Sequence, residues 1–355
     1  MTDLDRTAAA VGDTPPMAST SSPAALPPGR PVAPPPGPPA APLPGPPAAL
    51  PPDSPAAPPR ASQPIPRRAS QLSPHRADRI ELPGEHGPLA ALSAVPAGAV
   101  ATVLLVPGYT GSKEDFAPLI DPIADAGLAV VALDLPGQHE SAGSTAEADY
   151  LPANLGTVVA EVLRHLEPRP LILLGHSYGG LVARAAVLAG AEVAGLVLMC
   201  SGPAALPDGF RRNLLNVAEP VLRSRGVPAL QELREVVEAD SGLPPQPPEL
   251  AALMRRRFLS SAQAGLIGMA AGLRTEPDLV PELAAALRGT GTPCLVTCGE
   301  ADDAWHPELQ LDMAARLDAP FVAVPDAGHT PNVENPAALL DLLLRTWHAW
   351  LNDQP

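Results

Sequence analysis

The chain has 355 residues, 46% of them hydrophobic, which allows one large core with room for an insertion or a tail. Its formal net charge is −15, and its cations are all arginine except Lys113, so a basic nucleic-acid stripe or an attraction to anionic membranes is excluded. Three cysteines, Cys200, Cys294 and Cys298, are too few for a disulfide framework, and a reducing, cytoplasmic location is the expectation.

In chain order, the opening Met1-Thr2-Asp3-Leu4-Asp5 shows no basic or apolar region of a secretory signal, and no apolar run reaches the ~18 residues of a membrane span. Residues 1–76 are rich in Pro, Ala and Ser, with runs such as Pro34-Pro35-Pro36, and hold nearly half of the 50 prolines. Such a segment lacks the large apolar side chains that offset ordering entropy, so a disordered tail of polyproline II character is expected. It reads as a linker or spacer, with docking of a protein partner as the alternative.

Order is expected to begin near Arg79. Residues 79–82 and 89–92 read as a β-hairpin. The continuous apolar run at 101–106 is the mark of a strand buried on both faces, and it recurs at 129–133, 171–174, 193–199, 294–297 and 321–324. Helical patterns lie at 115–126, 154–166, 179–189, 307–317 and 336–351. This alternation predicts an α/β fold, a mostly parallel sheet flanked by helices. Between 204 and 287 there are helical stretches separated by prolines and no strand, which predicts a helical cap over the carboxyl edge of the sheet, where ligands bind in such folds. The expected division is a tail at 1–76, a core at 77–203 and 288–355, and a cap at 204–287.

The strongest chemical signal is Gly175-His176-Ser177-Tyr178-Gly179, a Gly-x-Ser-x-Gly element that follows a buried strand and opens a helix. A tight turn there pushes the Ser177 hydroxyl out above the sheet, and a β-carbon at Gly175 or Gly179 would collide with the neighbouring chain. Serine needs a base. Of the eight histidines, His329 stands apart, in the loop Asp326-Ala327-Gly328-His329-Thr330-Pro331 after the last strand. His75 lies in the tail, His86 in a turn and His165 and His348 in helices. His139 and His306 read as pocket wall, and His176 cannot fold back onto its neighbour's hydroxyl. A carboxylate must hold the imidazole in one tautomer. The loop Gly299-Glu300-Ala301-Asp302-Asp303 supplies it, with Asp302 chosen and Asp303 and Glu300 as rivals. Oxyanion donors are expected at the backbone N–H of Tyr178 and, from the loop Pro107-Gly108-Tyr109-Thr110-Gly111-Ser112, at that of Tyr109.

Together these residues resemble the α/β-hydrolase superfamily, in its cap-bearing branch of esterases, peroxidase-like hydrolases and carbon–carbon bond hydrolases. The likeness covers about residues 79–352. It rests on the Gly108 loop, on Asp134-Leu135-Pro136-Gly137 through Ser141, on the Ser177 turn and on the Asp302 and His329 loops. The resemblance implies that Ser177, Asp302 and His329 form the triad, in the chain order used by that fold. Two departures concern the pocket wall: Pro107-Gly108 stands where many relatives have His-Gly, and Gln138 stands where a histidine is usual, or the loop is offset by one.

The expected activity is hydrolysis of a small carboxylic ester or related acyl compound through an acyl-enzyme on Ser177. The alternatives are carbon–carbon bond cleavage with the same triad, or a non-catalytic ligand-binding member. The expected partner is a small-molecule substrate, with Gly108 and Trp305 placed at it and Trp305-His306 lining the entrance, packing into the core being the alternative for that pair. Arg211-Arg212 and Arg255-Arg256-Arg257 read as solvated cap faces, or as one arginine turned inward to grip a substrate carboxylate. No cofactor or metal is called for, because no His/Cys spacing of a metal site is visible.

Overall fold

The computed structural model describes residues 69–240, 242 and 245–353. Residues 1–68, which make up most of the expected tail, lie outside the described residues.

The strands are β1 (Asp78–Leu82), β2 (Leu89–Ala94), β3 (Thr102–Val106), β4 (Ala129–Leu133), β5 (Leu171–His176), β6 (Gly195–Met199), β7 (Cys294–Gly299) and β8 (Phe321–Val324). The helices are α1 (Ala117–Asp125), α2 (Pro152–Arg164), α3 (Tyr178–Leu188), α4 (Phe210–Asp240), α5 (Pro248–Ser260), α6 (Gln263–Thr275), α7 (Val280–Thr290), α8 (Pro307–Leu317), α9 (Pro331–Glu334) and α10 (Pro336–Asn352).

The eight strands form one sheet in the order β1-β2-β4-β3-β5-β6-β7-β8. The β1–β2 and β2–β4 pairs are antiparallel, and all others are parallel. Side chains alternate across each strand, so the apolar runs feed two cores. One face carries Leu104, Leu173 and Leu198 against α2, α3, α7 and α8, through Val159, Val182, Leu283 and Met313. The other carries Val103, Leu105 and Ile172 against α1 and α10, through Ile120, Leu339 and Trp347. A fully buried leucine in such a core is worth about 2 kcal/mol relative to an exposed one.

Two expectations are corrected here. Residues 321–324 read as a strand buried on both faces, yet β8 pairs only with β7, and Val322 on this terminal strand faces solvent. Residues 69–76, assigned to the tail, lie against α1 and the turn before it. The Gln71 amide donates to Asp115, and Arg76 pairs with Asp121 and Asp125.

Between β6 and β7 the chain runs through α4 to α7. Helix α4 breaks at Gly226 (φ 79), just before Pro228. Its halves, α5 and α6 share a small apolar cluster of Leu222, Val227, Leu230, Phe258, Leu266 and Ile267, on which the Tyr109 side chain packs. Helix α6 is fixed to the core by small residues. Gly268 lies on the Glu147 carbonyl and Gly272 on the Tyr178 ring, with no room for a β-carbon at either.

The only lysine, Lys113, is fully buried beneath the 107–112 loop. Its Nζ lies 2.7 Å from Asp134, 2.8 Å from Glu140 and 3.1 Å from Glu114. Its backbone N–H donates to the other Asp134 oxygen at 2.7 Å, so one carboxylate holds both ends of the residue that follows the loop. Asn332 Nδ2 donates to the Asp115 carbonyl, which ties the loop's far side to α9.

Candidate active site

Strand β5 ends at His176 and α3 begins at Tyr178, so Ser177 alone makes the turn. Its backbone is held at φ 55 and ψ −119, a conformation that costs a non-glycine residue about 1–3 kcal/mol. The surroundings enforce it. The Ser177 N–H donates to the Met199 carbonyl at 2.8 Å. A β-carbon on Gly175 would stand 2.2 Å from the Gly179 carbonyl oxygen, and one on Gly179 would stand 2.4 Å from that of Val106. Strain at one residue is thus imposed by close backbone packing on both sides of it.

His329 and Asp302 reach the same point from the loops after β8 and β7. His329 Nε2 lies 3.0 Å from Ser177 Oγ, and His329 Nδ1 lies 2.8 Å from Asp302 Oδ1. The buried Asp302 accepts further hydrogen bonds, from the Ala304 N–H at 3.0 Å and from Gln310 Nε2 at 2.8 Å. Burial alone would push the Asp302 carboxyl up. The hydrogen bond and charge of His329, with those other donors, outweigh it and hold the carboxyl below its usual range. Of the two rivals, Asp303 turns outward to Arg211 at 2.6 Å and Glu300 is exposed.

His176 has a structural part that its sequence position does not announce. Its Nε2 lies 2.8 Å from the His329 carbonyl oxygen, so it braces the loop that carries the imidazole. Burial, and secondarily the neighbouring His329, pull its pKa down to about 4. The unfolded chain, with an ordinary imidazole near 6.5, binds more protons between those values, so this contribution to stability is complete above about pH 6.5 and lost towards pH 4. Between pH 7 and 4.5 the loss should be roughly 2–3 kcal/mol. Urea midpoints for the parent and for His176→Gln at the two pH values check it. Equal acid sensitivity in both proteins would disprove the assignment.

The Gly108 loop lies directly against the serine, where a β-carbon on Gly108 would meet that of Ser177 at 2.9 Å. Gln138 holds the loop in place, with Nε2 donating to the Gly108 carbonyl at 2.8 Å and Oε1 accepting from the Leu135 N–H at 3.2 Å. This side chain is spent on the loop backbone. Among the described residues, neither the Tyr109 nor the Tyr178 backbone N–H has an acceptor. Ser177 is 7% exposed and the His329 side chain 11%, which leaves a narrow approach.

Trp305 does not line an entrance. It is 1% exposed, its ring fills the space beside Gly202, and its indole N–H points to the carbonyls of Ala204 and Ala205. The 302–306 turn directs it down into the core, while His306 is exposed at the start of α8. His139 sits against Glu114, Glu140 and Ser260. Several of the cap arginines are engaged by the protein itself: Arg211 with Asp303, Arg212 with the carbonyls of Leu206 and Arg274, Arg255 with Glu235 and Arg257 with Asp115. Sequence reasoning missed Gln310, the bond by which Gln138 holds the Gly108 loop, and the brace at His176. A glutamine three residues into α8 carries no signal until the fold sets it beside Asp302.

The family model described as "Alpha/beta hydrolase family" matches residues 103–342. A Bacillus subtilis protein named "Putative 2-succinyl-6-hydroxy-2,4-cyclohexadiene-1-carboxylate synthase" is 26% identical over 239 residues, covering 66% of this chain and 85% of that protein. Among solved structures, a thermophilic esterase from Thermogutta terrifontis superposes with TM-score 0.59 at 25% identity, covering 78% of this chain and 99% of that one. A structure from Nitrososphaera gargenis, from work on its carboxylesterases, superposes with TM-score 0.62 at 19% identity, covering 78% of this chain and all of that one, and shares the fold.

Proposed function

The chain belongs to the α/β-hydrolase family, and from that premise we propose that it hydrolyses a small carboxylic ester or related acyl compound through an acyl-enzyme on Ser177. The observation that carries this reading is the pair of contacts at His329, 3.0 Å to Ser177 Oγ and 2.8 Å to Asp302 Oδ1. His329 Nε2 takes the Ser177 proton as Oγ attacks the carbonyl carbon. Asp302 holds the Nδ1–H tautomer and stabilises the imidazolium that forms. The charge that develops on the carbonyl oxygen falls to the two backbone N–H groups of Tyr109 and Tyr178, each such donor being worth about 3 kcal/mol. The imidazolium then protonates the leaving alcohol, and water, activated by His329, frees the acid. The cap is the part of 204–287 that precedes α7, whose side chains belong to the core packed on the sheet, and the reaction proceeds in the cytoplasm.

The limited exposure of Ser177 and His329 favours short acyl groups. A series of p-nitrophenyl esters should show turnover falling at least tenfold from butyrate to dodecanoate, with the matching anilides slower still. A rate that climbs with chain length would overturn the small-acyl reading. A second reading, carbon–carbon bond cleavage or elimination with His329 acting on carbon, is favoured by the synthase name of the B. subtilis relative. Mass spectrometry of a rapidly quenched turnover separates the two, since only the first leaves an acyl group on Ser177.

A further inference from the structure

Side chains that lie far apart in sequence meet behind the imidazole of His329. One donor atom from each of His176, Cys200 and His329 lies within 4.8 Å of the other two. His176 is 5% exposed and Cys200 is fully buried. His176 Nδ1 is buried with no hydrogen-bond partner. The Asp302 carboxylate stands beside this group, with Oδ1 2.8 Å from His329 Nδ1.

A thiol, two imidazoles and a carboxylate make the donor set that thiophilic divalent cations take in tetrahedral geometry. Bonds of about 2.0–2.3 Å around zinc put the donors roughly 3.3–3.8 Å apart, so closing the present spacing requires movements of about 1 Å. Charge separates this group from the other close cluster, Glu114, His139 and Glu140. There Lys113 Nζ already stands 2.8 Å from Glu140 and 3.1 Å from Glu114, and a metal would have to displace a buried ammonium. Among the described residues, Asp302 pairs with no lysine or arginine, so the negative charge behind His329 has only an imidazole for company.

We propose that His176, Cys200 and His329, with Asp302 as fourth donor, form a site for a thiophilic divalent cation of the zinc class, and that filling it switches the enzyme off. Cys200 binds as the thiolate and its proton leaves to solvent. His329 gives a ring nitrogen to the metal and can no longer relay a proton from Ser177. The cation enters beside the His329 ring. The inhibitory consequence rests on the proposed function; the binding itself does not.

Cobalt(II) added to the full chain should give a near-ultraviolet thiolate-to-metal band with the visible bands of a tetrahedral ion, and Cys200→Ala should lose the thiolate band. Zinc should inhibit ester turnover reversibly on adding a chelator. Measured against each protein's own metal-free rate, the half-inhibiting zinc concentration should rise at least tenfold in Cys200→Ala. Should that variant fail to fold, His176→Phe carries the same expectation. Absence of the thiolate band in the parent, or equal zinc sensitivity in the folded variant, overturns the proposal. The cobalt spectrum needs no turnover, so a chain that proves not to be an esterase still answers the question of the site.

Discussion

Replacing Ser177 by alanine is expected to lower ester turnover by about 10⁴- to 10⁶-fold, with substrate affinity little changed. The variant removes Oγ alone. Alanine meets the same backbone strain as serine at φ 55, and the contacts that impose it come from Gly175, Gly179 and Met199, all untouched. The fold should therefore survive, and the loss should appear in kcat. Residual activity above the uncatalysed rate would report the two oxyanion donors and binding. A fluorophosphonate probe should label the parent once, at Ser177, and leave the variant unlabelled. Near-normal ester hydrolysis by the variant would end the nucleophile assignment.

The second large effect is expected at Asp302→Asn, a drop of about 10⁴-fold in kcat by analogy with serine proteases. The carboxylate accepts from His329 Nδ1 and the Ala304 N–H on one oxygen and from Gln310 Nε2 on the other. An asparagine has one acceptor oxygen for these two sets of donors. With its oxygen towards His329, its NH2 faces the Gln310 NH2. With its NH2 towards His329, it selects the Nε2–H tautomer, whose lone pair points away from Ser177. Asp303→Asn is the control, because that side chain is half-exposed and paired with Arg211, and a change within a few-fold is expected. A larger loss at Asp303 than at Asp302 would move the acid by one residue.

These assignments differ in how far the sequence alone could carry them. The Ser177 turn was legible because it is local. Two glycines, a preceding apolar run and a following helix express close packing within eight residues. His329 was legible by its loop, at the carboxyl end of the last strand. Asp302 could be named only against Asp303 and Glu300, since burial, which separates the three, belongs to the assembled fold. Trp305 misled because a short turn, 302–306, sets which way a ring points, and Gly202, whose missing side chain makes room for it, is about a hundred residues away. For β8, a short apolar run reads the same at the centre of a sheet as at its margin. The meeting of His176, Cys200 and His329 draws on the end of β5 and two loops, and spacing along the chain contains nothing of it.

The burial of Lys113 bears on how the folded protein answers to alkali. Its ammonium would be weakened by burial, but Asp134, Glu114 and the other carboxylates around it raise it above the ordinary lysine range. Burial moves the remaining groups of that range upward too, with Tyr109, Cys294 and Cys298 each pushed to about 12 and Tyr150, Tyr178 and Cys200 also raised. Every other side chain that is cationic above about pH 8 is a guanidinium, charged throughout. Over the described residues, the stretch from about pH 8 to 10, where other proteins begin to shed thiol and ammonium protons, holds few titrating groups. Electrophoretic mobility should stay level across it, and solubility should be as good at its upper end as at its lower.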